Sequence, residues 1–271
     1  MDRAFLYDAA CDFVRTSPLN CVAADRALAP SVCGMQIYDV PLMAVARADD
    51  VLFASYRAPE AIGPHYRLPE DWLPGAQSVV SFFFPFTQRV RTANRRDLCA
   101  PCIEWLHARI EGQQFLNALL AHLVQCVQEA GARCIAPSLS EAFRAGVPGN
   151  RFTSNWSERH AAYACGLGTF GLSKSLITNR GTAGRFGSLV LDVALPPDVR
   201  DYTGLYDYCT RCGACVRNCP AHAITLAHGK SHAACAPFVA QTGRTFPPYY
   251  GCGKCQVAVP CEGQRPVPAQ A

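Results

Sequence analysis

From about Ile103 to Ala130 the apolar positions fall at helical spacing, with Phe115, Leu119, Leu123 and Val127 recurring every four residues beside Leu116, Leu120 and Val124. A stripe this broad predicts a long helix with one face in the core, ending at Gly131. The period is different in SVVSFFFPF, residues 78–86, a continuous run of apolar, β-branched and aromatic residues closed by Pro85 and Phe86. Such a run predicts a strand buried on both faces and lying mid-sheet. FGSLVLDVAL, residues 186–195, predicts a second buried strand. The amphipathic opening, MDRAFLYDAACDFVRTSP, predicts a helix over residues 3–15, and another helix is expected to begin near Ser154 to Ser157 and run through His160 and Tyr163 into a glycine-rich turn. Residues 31–75 are cut by Pro and Gly into short strands and turns without a readable order. Pro196 and Pro197 mark a boundary, dividing the chain into residues 1–199 and a short, turn-rich remainder, 200–271.

Composition sharpens the picture at that boundary. Sixteen of the 271 residues are cysteines, and half the chain is apolar. Eight of the cysteines follow the boundary in the order Cys209-x-x-Cys212-x-x-Cys215-x-x-x-Cys219-Pro220, then Cys235, Cys252-x-x-Cys255 and Cys261. The leading run has the spacing of bacterial ferredoxins, in which the fourth cysteine ligates the other of two 4Fe-4S clusters. Cys209, Cys212 and Cys215 therefore need a distant fourth partner, for which Cys261 is the candidate, while Cys219 joins Cys235, Cys252 and Cys255. Pro220 turns the chain away after the last ligand of the run, because it cannot continue a helix. A disulfide scaffold belongs to short secreted chains, and structural zinc at Cys252-x-x-Cys255 leaves the run of four unexplained. Two clusters also account for a segment too small to build an apolar core of its own. A net charge of +4 without a Lys/Arg block gives no case for nucleic acid, and suits an acidic redox partner equally well. No secretory or twin-Arg leader and no membrane-spanning apolar run is seen, so the expectation is a cytoplasmic protein with no membrane association.

The segment Trp156-Ser-Glu-Arg-His160-Ala-Ala-Tyr163-Ala-Cys165-Gly166-Leu-Gly168-Thr-Phe-Gly171 places a helix directly ahead of three closely spaced glycines. Such a turn brings backbone N–H groups close to a bulky or anionic ligand; it equally serves as a helix cap and packing turn. Combined with CTRCGACVRNCP, YGCGKCQ and PCE, the segment AAYACGLGTFGL resembles the epoxyqueuosine reductase and reductive dehalogenase group over roughly residues 78–262. The resemblance implies an α/β (α+β) fold, with a nitroreductase-like domain holding a cobalamin, followed by a small ferredoxin-like domain with two 4Fe-4S clusters. It also implies that Gly166, Gly168, Gly171 and Thr178 lie along the corrinoid. His160 and Tyr163, one turn apart, are candidates to line the same pocket or, equally open, core residues with one satisfied polar atom each.

The resemblance has departures. Epoxyqueuosine reductases carry Arg-Asp-Tyr-His at the head of the helix after the apolar strand, with the Asp acting as acid, and no such tetrad occurs here. Counting back from Gly131 puts Arg109-Ile110-Glu111 at about that place, so Glu111 is the candidate acid, its pKa expected to be raised by burial, and Asp97 is the second candidate. The helical-repeat region associated with tRNA in those reductases is also missing, so tRNA is not expected as a partner. The expected function is an iron–sulfur oxidoreductase that takes single electrons from a low-potential donor such as ferredoxin or flavodoxin and uses the cobalamin to reduce a small-molecule substrate. The competing expectation is a non-catalytic electron carrier, or a reductive activator of a separate corrinoid protein, although about two hundred residues before the clusters favour a cofactor or substrate site. Cys99-Ala100-Pro101-Cys102 has the spacing of a dithiol switch or a metal contact, but no thioredoxin-like βαβ context surrounds it.

Overall fold

A computed structural model describes residues 1–267. The main elements are helix α1 (Arg3–Thr16), strands β1 (Leu42–Arg47) and β2 (Ser78–Pro85), helices α2 (Gln88–Arg95) and α3 (Ile103–Glu129), strand β3 (Cys134–Ile135), helix α4 (Glu158–Cys165), strands β4 (Gly168–Phe170), β5 (Leu176–Thr178) and β6 (Gly184–Leu191), and helix α5 (His232–Thr245). One antiparallel sheet runs in the order β1-β2-β6-β3, and β4 with β5 forms a separate hairpin.

The expected mid-sheet strand is β2, in which every residue is buried. Its side chains alternate between two cores, as the period of two demands. Val80, Phe82 and Phe84 join Val45, Leu189 and Leu191 against α1 and α3. Val79 and Phe83 join Ala44, Ala46 and Val190 against α4 and the aromatic group of Phe53, Tyr66 and Trp156. Each such side chain contributes roughly 1.5–3 kcal/mol of burial, and this two-sided burial holds helices on both faces of the sheet. On α3, Phe115, Leu119, Leu123 and Val127 are fully buried, so the expected stripe is the core face. The helix ends one residue early, with Ala130 as cap, and Gly131 takes the left-handed φ of +82° that turns the chain away.

Two boundaries moved. The second strand starts at Gly184 and stops at Leu191, where its partner β2 runs out at Ser78 and the Asp192 carboxylate binds the N–H and Nε of Arg133. Helix α4 starts at Glu158 because Asn150–Ser154 is a strand paired with Ala145–Val147. The part of the chain without a readable order, residues 31–75, contains β1 and a short helix, Val51–Ser55, capped by Asp50. Residues 192–201 carry neither helix nor strand. Beyond them the turn-rich expectation missed α5, a helix of fourteen residues that tolerates Pro237 in its interior. The last four residues of the 200–271 segment lie outside the described ones.

The cysteine-rich segment is fastened to everything before it. Val257 is buried in the α1/α3 core, and Cys209 and Cys261 pack against the α4 core. Glu262, nearly inaccessible, is held by Arg95 through Nε at 2.7 Å, with Arg91 at 3.6 Å. Among the described residues no helix is long and apolar enough to cross a membrane.

Candidate cluster and cofactor site

The eight cysteines form two adjoining sets. Cys209 and Cys212 lie on a loop whose tight turns use left-handed backbone at Arg211 (φ +52°) and Gly213 (φ +73°), and Cys215 is the second residue of the short helix Ala214–Arg217. With Cys261 they surround a small cavity closed by Leu172 and Ile177. The Cys261 thiol lies within charge–charge reach of Cys209, Cys215 and Cys212. In the second set Cys255 lies within the same reach of Cys235 and Cys219, and Cys252 within that of Cys255 and Cys235. Cys215 and Cys255 bring the two sets together. Desolvation pushes the thiols of Cys215 and Cys252 up to about 11 and that of Cys261 up to about 12. Such thiols ionise when metal supplies the opposing charge. The two tetrads and the ferredoxin order suit a pair of 4Fe-4S clusters.

The second set forms one wall of a cavity of about 700 Å³, which Cys219, Cys235, Cys252 and Cys255 share with α3, the start of α4 and the start of β6. This volume lies in the range of cofactor and small-molecule sites. Arg109, Arg159, Arg185, Lys230 and Lys254 reach the wall, against one carboxylate, Glu158, so the site favours anionic ligands or an anionic cluster. Three wall atoms, Arg109 Nε, Glu158 Oε1 and Thr182 Oγ1, are buried and have no hydrogen-bond partner. Buried polar atoms are almost always paired, so these three are exceptions, each on a residue that lines the cavity. The other oxygen, Glu158 Oε2, accepts from Ser188 Oγ at 2.6 Å, and Ser188 in turn accepts from Trp156 Nε1 at 2.9 Å. Burial pushes Glu158 up to about 7, against which Ser188 and Ser138 pull only weakly.

The residues singled out in the sequence lie elsewhere. Glu111 is two positions from both Arg109 and Gln113, hence roughly 200° round the helix from them, and faces away from the cavity. Its Oε1 accepts from Tyr249 at 2.8 Å and its Oε2 is 3.1 Å from His107 Nδ1. His107 Nε2 accepts the Leu28 N–H, so Nδ1 is the protonated nitrogen and donates to Glu111. Desolvation alone would raise the Glu111 pKa, but these two donors outweigh it and hold the group below its ordinary value, which corrects the expected direction. Asp97 is exposed, accepts the Cys99 N–H at 2.6 Å, and is held low by that bond.

The glycine turn serves packing. Gly166 caps α4 with a φ of +100°, and Gly168 crosses β5 so closely that a Cβ would lie 1.9 Å from the Ile177 carbonyl oxygen. Thr178 donates to the Gly181 carbonyl at 2.8 Å. His160 bonds Ser157 at 2.7 Å and packs between Tyr56 and Phe170, where desolvation pushes it down to about 4. The Tyr163 ring packs on Phe170 and Tyr202. None of these six borders the large cavity, and Gly171 alone reaches the small one around Cys209. They pack in the hairpin and core beside the first cysteine set. Glu158 and Arg159, inside the same quoted segment, are the residues that sequence reasoning passed over, because an acidic helix start reads as an ordinary N-terminal cap.

Residues 205–225 match the family model described as a 4Fe-4S binding domain. The chain is similar to the catabolic reductive dehalogenase NpRdhA at 15% identity, over 83% of this chain and 30% of that one, with a TM-score of 0.57. The same dehalogenase in complex with 3-bromo-4-hydroxybenzoic acid matches at 18% identity, over 83% and 30%, with a TM-score of 0.52. Epoxyqueuosine reductase with an epoxyqueuosine-modified tRNA-Tyr stem loop matches at 20% identity, over 83% of this chain and 62% of that one, with a TM-score of 0.50. The chain thus spans between 30% and 62% of the length of these structures. No curated protein matches it. At these identities the likeness is one of fold, and the fold is the expected α+β one.

Proposed function

We propose that the chain is an iron–sulfur reductase, in which residues 200–271 hold two 4Fe-4S clusters and residues 1–199 supply most of a pocket for a second redox cofactor and a small-molecule substrate. The observation that carries this reading is the 700 Å³ cavity with Cys219, Cys235, Cys252 and Cys255 in its wall and five basic side chains against one carboxylate around it. A carrier that only relays electrons has no use for such a room beside its second cluster, and this favours the enzyme over the carrier or the activator of a separate corrinoid protein. A cobalamin is the cofactor of choice, since its cobalt would store electrons delivered singly and react as a strong nucleophile or reductant.

The chain's own residues supply the rest. Arg109, Arg159 and Arg185 hold negative charge on the cavity side of α3, α4 and β6, and Phe86, Leu116 and Phe186 keep the interior dry. Glu158 holds a proton on a buried carboxyl near neutral pH and is the acid of the site, in place of Glu111 and Asp97. Cys212 is exposed, so the first set is where a low-potential donor such as ferredoxin or flavodoxin delivers electrons.

Anaerobic reconstitution with iron, sulfide and hydroxocobalamin, followed by metal analysis and visible spectroscopy, tests the proposal. Bound corrinoid together with two clusters supports it. Two clusters with no corrinoid retained returns the carrier, or a different cofactor, to first place.

A further inference from the structure

Two cysteines outside the cluster sets stand against the second of them. Cys99 is exposed, and Cys102 is half-buried as the N-cap of α3, where its Sγ accepts the Trp105 N–H at 3.4 Å. One buried side chain joins this pair to the ligand loop. Asn94 Nδ2 donates to the Cys252 carbonyl at 3.0 Å, while Asn94 Oδ1 accepts the Cys102 N–H at 3.2 Å. Lys254, fully buried two residues after Cys252, donates to the same Oδ1 and to the Asn94 carbonyl, each at 2.8 Å. Its amine lies within charge–charge reach of Cys102, Cys252 and Cys99 alike. The packing is equally close: Gly253 sits so tightly on Trp105 that a Cβ there would fall 2.0 Å from the indole. Among the described residues no third His, Cys, Asp or Glu forms a metal-binding group with the pair.

The geometry points to Cys99 and Cys102 as a redox-active dithiol that exchanges electrons with the second cluster across Asn94. This rests on the cluster reading above. Exposed Cys99 attacks a disulfide presented from solution, forming a mixed disulfide and releasing one thiolate. The Cys102 thiol then attacks the Cys99 sulfur, its proton passes to the departing thiolate, which leaves as the second thiol, and Cys99–Cys102 is oxidised to a disulfide. The pair returns to two thiols by taking two electrons, one at a time, from the neighbouring cluster, and two protons from water. The chain would thereby reduce disulfides in addition to the ligand of its large cavity. The exposed Cys99 sulfur is the one that can meet a disulfide from solution, while burial pushes the Cys102 thiol up to about 12 and leaves it to act second, on the mixed disulfide.

The test counts electrons. Reconstituted protein is oxidised with glutathione disulfide, mapped by alkylation and peptide mass spectrometry, and titrated with a photoreduced deazaflavin while cluster absorbance is followed. The oxidised wild type is expected to take up two more electrons per chain than Cys99→Ser/Cys102→Ser, whose serine at 102 keeps the N-cap acceptor, and to regain both alkylatable thiols. A Cys235→Ser chain, without the second cluster, is expected to keep its disulfide. Equal electron uptake at equal iron content, failure of the two cysteines to pair, or recovery of thiols in Cys235→Ser would overturn the inference. Loss of iron from the wild type as well would instead strike the cluster reading beneath it.

Discussion

Glu158 and Glu111 carry the same carboxyl and behave oppositely because of what surrounds it. Glu111 receives two donors, from His107 and Tyr249, that outweigh its burial, whereas burial of Glu158 outweighs the hydroxyls of Ser188 and Ser138. For Glu158, whose folded pKa is raised, the neutral form is the stable one, and the stability tied to it is lost as pH rises through about 7. Difference infrared spectroscopy should therefore show a protonated carboxyl band that disappears above about pH 7 and is absent from Glu158→Gln, with both clusters retained. For Glu111 the folded pKa is depressed, so its contribution is present above the ordinary carboxylate range and lost as pH falls through the lowered value. Glu111→Gln is expected to cost about 1–3 kcal/mol by leaving His107 or Tyr249 imperfectly paired. Thermal unfolding reads this loss, and cluster redox chemistry should be untouched; a slowed reaction at unchanged stability would restore Glu111 as the acid. At this scale the sequence was legible where covalent spacing decides, as in the cysteine order. It was opaque where a pKa depends on which face of α3 or α4 meets the cavity.

Elements position these groups through a few close approaches. Gly253, at a φ of +70° against Trp105, sets the path of Cys252. Gly253→Ala should displace that ligand and cost the second cluster while sparing the first, so that iron per chain falls by about half. Gly168→Ala, at a φ of +154° and 1.9 Å from the Ile177 carbonyl oxygen, should break the β4–β5 hairpin. The expected loss is on the order of 3 kcal/mol or more, measurable by denaturation of the apoprotein. Strand β2 and helix α3 could be read from the sequence because both bury continuous or four-spaced apolar runs. Helix α5 could not, since Pro237 and Gly243 lower its local propensity and its place depends on packing around Cys235.

Across the whole molecule, a small cysteine-rich segment is wedged against a three-layer sheet domain, held by buried Lys254 on Asn94 and buried Glu262 on Arg95 and Arg91. This explains how so short a segment holds its shape: its sulfur ligands are anchored on one side by the sheet domain and on the other by the metal they bind. The general architecture was legible from the resemblance, while the location of the ligand pocket was not, because it is built from residues distant in sequence that meet only when the segment docks. The most direct measurement is iron and acid-labile sulfide per chain in anaerobically reconstituted protein, with Cys261→Ser and Cys235→Ser alongside. The account predicts about eight of each in the wild type and about four in either variant. A wild type with one cluster, or one whose metal is a lone zinc ion, would contradict it.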